Sequence, residues 1–198
     1  MTEYQRFKGG RGWRYDCDGM IVLERETEPA RTRGEPVTMR TMLADFGDEM
    51  REASDLLDVD LANVMTIIAL ESVTSHGVHR DPRSYRWEER VQDYSAGLMQ
   101  TMSATAKQMR KKYTLPVAPI SEPVLYVPRV SILCGVAYLR HQQDRYNTRD
   151  VMLLQAAYNA GSLLHTTRNE WHMRTHSPDR TERAAQWHND ALSVLNEG

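Results

Sequence analysis

Beyond Val37, apolar residues recur at steps of three and four, which is the spacing of amphipathic helices. In the first such stretch they are Met39, Met42, Leu43, Phe46, Met50 and Ala53. The next stretch, 61–70, is apolar nearly all round and follows Asp60, a residue type that caps helix N-termini. The pattern therefore predicts an amphipathic helix followed by a helix in the middle of the core.

Helical patterns also dominate the second half of the chain. We expect a helix from Ser103, as its N-cap, to about Tyr113, one starting at Pro128, and one over 151–158 that stops at Gly161. A last helix is predicted near 181–195. Between these lie two stretches predicted to be irregular, a long polar loop at 72–97 and a proline-rich segment at 114–125.

The N-terminal segment has a different character. An Asp-Gly pair at Asp18-Gly19 separates 13–15 from the apolar run 20–23, which predicts a small hairpin. Residues 28–36 read as a linker. We therefore divide the chain into an N-terminal hairpin and linker, 1–36, and a mainly α-helical domain, 37–198.

Composition fits a soluble globular protein, with 40% hydrophobic and 26% charged residues. The formal net charge of -2 gives no basic excess, so nucleic acid is not an expected partner. No stretch approaches the roughly 20 apolar residues of a membrane span. The only cysteines, Cys17 and Cys134, match no metal-binding spacing; Cys134 reads as a buried thiol, with a bridge between the two as the minor alternative.

Glu71 is the first candidate for chemistry. It follows ten largely apolar residues near the C-terminus of the predicted central helix. Burial and the helix dipole both disfavour a negative charge there, which would keep the carboxyl group protonated, as a general acid requires. The alternative is a surface glutamate at a helix end.

Three segments bear on that choice: Ala69-Leu-Glu71-Ser72, Ser95-Ala-Gly97-Leu-Met-Gln100 and Ala157-Tyr-Asn-Ala-Gly161. In this order they resemble the lytic transglycosylases of the soluble (SLT) type, relatives of goose-type lysozyme. The segment 128–139 resembles the helix that this family places before its last motif. The resemblance covers about 60–165 and implies a lysozyme-like helical fold with a groove for the glycan. The small N-terminal hairpin predicted above lies outside this range.

The resemblance implies that Glu71 is the sole acid/base for cutting peptidoglycan glycan strands, with no metal or cofactor. Glu71 would protonate the leaving glycosidic oxygen and then take the proton of the C6 hydroxyl of N-acetylmuramic acid, leaving a 1,6-anhydro end. Ser72 would orient the carboxylate. The implied substrate-binding residues are Ser72, Ser95, Gly97, Leu98, Met99, Gln100, Tyr158 and Asn159.

Each assignment has a structural alternative. Gly97 could be a turn glycine, Met99 and Tyr158 could be core residues, and Asn159 could belong to a helix C-cap. The chain also departs from the family pattern at Ser103, Ser131 and Ser162 and in the length of the loop between Glu71 and Gly97.

Two rival functions stay open. A goose-type-like muramidase, a hydrolase, would need a second carboxylate, for which Asp93 is a better candidate than Asp81. A structural component that binds peptidoglycan without cutting it is the other rival. The N-terminus lacks the apolar core of a secretory signal, so we expect cytoplasmic synthesis and action on the cell wall as a phage lysin or virion-associated enzyme. Residues 1–36 are then a candidate docking element for a virion or secretion-machinery partner.

Overall fold

The computed structural model describes residues 4–17, 19–23, 28–72, 81–177 and 179–197. It is mainly helical, with 53% of the described residues in helices, as the sequence predicted. The helices are α1 (Val37–Leu57), α2 (Leu61–Ser72), α3 (Ser103–Lys112), α4 (Glu122–Leu125), α5 (Pro128–Tyr146), α6 (Val151–Ala160) and α7 (Arg180–Leu195).

Helix α2 forms the centre of the core. Every residue from Ala62 to Leu70 is buried, because α1 and α7 pack along it and α6 also contacts it. The all-round apolar pattern predicted this position. Glu71 therefore lies at the edge of the core, directly after the buried residues of α2.

Two small antiparallel sheets accompany the helices. The first contains β1 (Gln5–Arg6), β2 (Gly12–Asp16) and β3 (Gly19–Val22), in that order. Asp16 pairs with Gly19, so the hairpin is confirmed, with β1 as an additional strand. Asp18 of the predicted turn lies outside the described residues.

The second sheet was not predicted. Strands β4 (Tyr85–Glu88) and β5 (Asp93–Ala96) lie within the segment predicted to be a loop, and β6 (Thr101–Met102) follows it. Residues 73–80 of that segment lie outside the described residues. The short helix α4 likewise lies in a segment predicted to be irregular, with Pro123 in its first turn, where a proline is tolerated.

The helix predictions after residue 100 are confirmed with small changes. α5 begins at Pro128, α6 ends before Gly161, which has φ 79°, and α7 begins one residue earlier than expected. The predicted Ser103 cap is wrong: Ser103 is a buried first residue of α3, and the backbone N–H of Ala104 donates to Asp93 instead.

The N-terminal sheet packs into the same core as the helices. Trp13 and Met20 are almost fully buried and belong to one hydrophobic cluster with α1, α2 and α5–α7. The division of the chain at Pro36 stays a prediction, but the core shows no break at that point. No described helix is long and apolar enough to cross a bilayer.

Candidate active site

Glu71 is paired with Arg180. The Arg180 Nη2 group donates to Glu71 Oε1 at 2.7 Å, and the side chains are 5% and 16% exposed, respectively. Glu71 stands on the last turn of α2 and Arg180 on the first residue of α7. The surface-glutamate alternative is therefore ruled out by geometry: Glu71 is a largely buried carboxylate with a buried guanidinium against it.

Ser72 is held elsewhere. Its side chain is fully buried and its hydroxyl donates to the backbone carbonyl of Leu98. Because a hydroxyl has a single proton to donate, Ser72 does not donate to Glu71 in this arrangement. The Glu71 carboxylate instead accepts a hydrogen bond from Arg180, while Ser72 ties the end of α2 to the 97–100 turn.

The 97–100 turn is built from the inside. Leu98 and Met99 have fully buried side chains, so in this structure their side chains are core and only their backbone could reach a ligand. Gly97 has φ 76°, and a Cβ there would collide with the carbonyl of Leu125 and with Ser131. The turn-glycine alternative thus accounts for Gly97, whose lack of a side chain lets the turn sit against α5.

Gln100 and Ser95 close this turn on the second sheet. The Gln100 amide donates to the carbonyls of Gly97, at 2.8 Å, and Ser84, at 3.2 Å. The Ser95 hydroxyl donates to Gln100 Oε1 at 3.2 Å. The resemblance assigns the polar groups of both residues to substrate binding. In the structure these groups form hydrogen bonds that shape the turn.

Tyr158 is the predicted residue with an electrostatic link to Glu71. Its hydroxyl donates to the carbonyl of Met99 at 2.9 Å and lies 3.1 Å from Thr101 Oγ1. Burial raises the pKa of Tyr158, and the negative charge of Glu71 raises it further. Tyr158 is thus a neutral phenol that fixes the 99–101 backbone next to the carboxylate.

Asn159 lies one residue further along α6 and contacts the segment that precedes Arg180. Its Oδ1 accepts the backbone N–H of His176 at 2.7 Å. Asn159 therefore anchors the segment immediately before α7. The C-cap alternative does not describe this contact, because the bond reaches across the α6–α7 connection.

The two candidate second carboxylates are both occupied by backbone groups. Asp93 Oδ2 accepts the N–H of Ala104 at 2.9 Å, at the start of α3. Asp81 Oδ1 accepts the N–H of Arg83 at 2.8 Å, in the local pattern of an Asx turn. These contacts match the loop-capping alternative rather than a base placed for water.

Exposed aromatic rings stand on the strands that lead into the 97–100 turn. Tyr85 and Trp87 on β4 are both 45% exposed, and Tyr85 stacks on Tyr94 of β5 with centroids 5.4 Å apart. Large exposed rings close to a site mark a binding surface more often than isolated ones do.

The two cysteines and the possible metal ligands were considered separately from Glu71 in the sequence predictions. Cys17 and Cys134 are both free, so the minor bridge alternative is wrong, and burial raises the pKa of Cys134 to about 12. Within the described ranges, no three His, Cys, Asp or Glu side chains are grouped to hold a metal ion.

Comparison with known proteins bears directly on this geometry. The model of the "Transglycosylase SLT domain" family matches residues 48–180, which is more than half of the chain. The chain belongs to the SLT transglycosylase domain family. The matched range contains the predicted site residues and ends at Arg180, whereas the N-terminal sheet and the rest of α7 lie outside it.

A solved structure is also similar. It is that of an inactive mutant of the lytic transglycosylase Slt from Pseudomonas aeruginosa, with 27% sequence identity and a TM-score of 0.48. The similarity covers 74% of this chain but only 22% of the Slt chain. No curated protein matches the sequence.

Sequence reasoning about the SLT domain missed Arg180. Arginine at a predicted helix start reads as a solvated residue, and its partner is 109 residues away in the chain. The available signal was position alone: Arg180 opens a helix with an apolar face, 22 residues after Tyr158.

Proposed function

We propose that this protein is a peptidoglycan lytic transglycosylase that cleaves the β-1,4 bond between N-acetylmuramic acid and N-acetylglucosamine. The observation that carries the proposal is Glu71, a buried carboxylate at the end of the central helix of an SLT domain, paired with Arg180. One such group is sufficient when the substrate supplies its own nucleophile.

The proposed reaction balances without water. Glu71 donates its proton to the glycosidic oxygen as the bond from C1 of N-acetylmuramic acid to that oxygen breaks. The substrate's N-acetyl group helps to carry the positive charge that develops at C1. The Glu71 carboxylate then removes the proton of the C6 hydroxyl, whose oxygen bonds to C1, and the acid is restored.

The state of the other carboxylates favours this reaction over hydrolysis. A hydrolase of this type places a second carboxylate to activate water across the sugar ring. Asp93 and Asp81 instead accept backbone N–H groups. The exposed rings of Tyr85 and Trp87 would add flat apolar faces for sugar rings beside the turn. Action as a phage lysin or a virion-associated enzyme stays a prediction from the sequence.

The decisive experiment digests purified peptidoglycan with the wild type and with Glu71→Gln and weighs the fragments by mass spectrometry. The amide has nearly the same size but no acidic proton, so we expect loss of activity by at least about 10²-fold with an unchanged circular dichroism spectrum. Wild-type products should carry anhydro ends, which lack one water relative to reducing ends.

Each other outcome has a definite meaning. Reducing ends alone would assign the protein to the hydrolases. Binding to peptidoglycan without any product would identify a non-catalytic binder. Near wild-type activity of folded Glu71→Gln would remove Glu71 from the reaction.

A further inference from the structure

Arg180 is a buried cation at a helix N-terminus, a position that disfavours positive charge. The residue is 4% exposed and opens α7, where the helix dipole disfavours a cation. A buried guanidinium costs free energy unless its hydrogen bonds and its charge are both matched. Its partners therefore indicate why it is there.

The guanidinium bridges two helices. Its Nη2 group donates to Glu71 on α2, and its Nε–H donates to Gln155 Oε1 on α6 at 3.2 Å. Because the group is planar, fixing Nε also fixes the direction in which Nη2 points. The pair with Glu71 is thus set by a third helix and not by two flexible side chains alone.

Gln155 is itself immobilised. It is fully buried, and its amide donates to the carbonyl of Met152 and to the hydroxyl of Thr181, each at 3.1 Å. Thr181 follows Arg180 on α7, so Gln155 holds both the side chain of Arg180 and the next residue of its helix. This chain of contacts ends at a single atom, Oε1 of Glu71.

We propose that Arg180 is a positioning residue that orients the Glu71 carboxylate and serves as its counter-charge after the proton has been transferred. The inference rests on the proposed function. It assigns Oε1 to the ion pair and leaves Oε2 for proton transfer.

The test compares Arg180→Met with Arg180→Lys, using soluble glycan fragments of peptidoglycan and measuring kcat and KM across pH. For Arg180→Met we expect kcat to fall by about 10²-fold with little change in KM, since the misplaced acid no longer meets its bond.

Arg180→Lys separates charge from geometry. Lysine keeps the positive charge but cannot hold Gln155 and Glu71 with one planar group. We expect kcat still to fall by about tenfold or more, with little change in KM. The matched control is Arg183→Gln, one turn along α7, whose side chain is 42% exposed and pairs with Asp179; its kcat and pH profile should equal those of the wild type.

Thermal melts are recorded for every variant so that rates refer to folded protein. Wild-type kcat in folded Arg180→Met, or a loss that appears in KM and not in kcat, would overturn the inference. If Arg180→Met does not fold, Arg180→Lys decides, and a wild-type kcat for it overturns the inference. An inactive Glu71→Gln beside a fully active Arg180→Met would reject this inference alone, whereas an active Glu71→Gln would reject the proposed function.

Discussion

At the scale of single residues, His188 is buried without the charge pairing that Glu71 and Arg180 show at the candidate active site. It lies on α7 and is 7% exposed, with Nδ1 3.5 Å from Thr66 Oγ1 and its ring edge-on to Tyr15 at 6.0 Å. Burial lowers the pKa of His188 from 6.5 to about 4. The folded protein therefore holds a neutral imidazole in a pH range where an unfolded chain would protonate it.

We expect His188 to make the protein less stable as the pH falls from about 6.5 to about 4. In that range the unfolded state binds the proton and the native state does not, so the free energy of unfolding decreases toward acid pH. A pKa shift of this size corresponds to roughly 3 kcal/mol at full effect. Urea unfolding of the wild type and of His188→Phe at several pH values measures this contribution.

His188→Phe keeps a ring beside Tyr15 but cannot titrate. Burial raises the pKa of Asp150, which acts in the opposite direction because the folded state then binds the proton more readily. That effect is common to both proteins, so the difference between them isolates the histidine. Parallel stability curves for the two proteins between pH 4 and 6.5 would refute the assignment.

Glu71 could be predicted from the sequence because its signal is local: a carboxylate directly after a run of apolar residues, followed by serine. The motif residues around 97–100 could be located in the same way. Their division of labour could not, because the burial of Leu98 and Met99 and the bond from Ser72 to Leu98 arise from distant helices. Arg180 and Gln155 were missed for the same reason.

At the scale of elements, the second sheet shows where periodicity fails. The segment that contains β4 and β5 was predicted to be a loop. Neither face of β4 is buried, and its Tyr85 and Trp87 side chains are exposed to solvent. Without a face buried in the core, alternation of apolar and polar residues gives no signal. The sheet nevertheless has a clear task, because β5 delivers Asp93 to the start of α3.

Asp93→Asn tests whether that carboxylate is structural or chemical. Asparagine keeps an oxygen that can accept the N–H of Ala104, so α3 should retain its cap. We expect activity to fall by less than about tenfold, because a transglycosylase needs no base to activate water. Initial rates on purified peptidoglycan, with circular dichroism as the folding control, measure the loss.

A general base would give a different result. Its removal typically lowers the rate by about 10²–10⁴-fold. Asp81→Asn is the matched control, since Asp81 also accepts a backbone N–H but lies outside the strands. A loss of three orders of magnitude that is specific to folded Asp93→Asn would move the protein to the hydrolases and leave Glu71 as the acid.

At the scale of the whole molecule, the N-terminal sheet buttresses α7, the helix that carries Arg180. Asn189 on α7 accepts the N–H of Met20 at 2.7 Å and donates to the carbonyls of Met20 and Ala30 at 2.9 and 2.7 Å. Trp13 donates through Nε1 to Asp150, the cap of α6, at 2.7 Å. The sequence alone gave no sign of these contacts, because the partners lie more than 130 residues away along the chain.

We therefore expect that deleting residues 1–36 will destabilise the helical domain, even though the family match begins at residue 48. The deletion exposes core surface and leaves the buried amide of Asn189 without its backbone partners, and an unsatisfied buried polar group costs about 1–3 kcal/mol.

Trp13→Ala should lower the free energy of unfolding by roughly 3–5 kcal/mol. Val37→Ala, at a position 62% exposed, is the control and should change it little. Urea unfolding measures these changes in the free energy of unfolding, and rates of digestion of purified peptidoglycan show whether the candidate active site is intact. A truncated chain that is soluble, cooperative in unfolding and fully active would show that 37–198 folds alone and that the sheet serves another purpose.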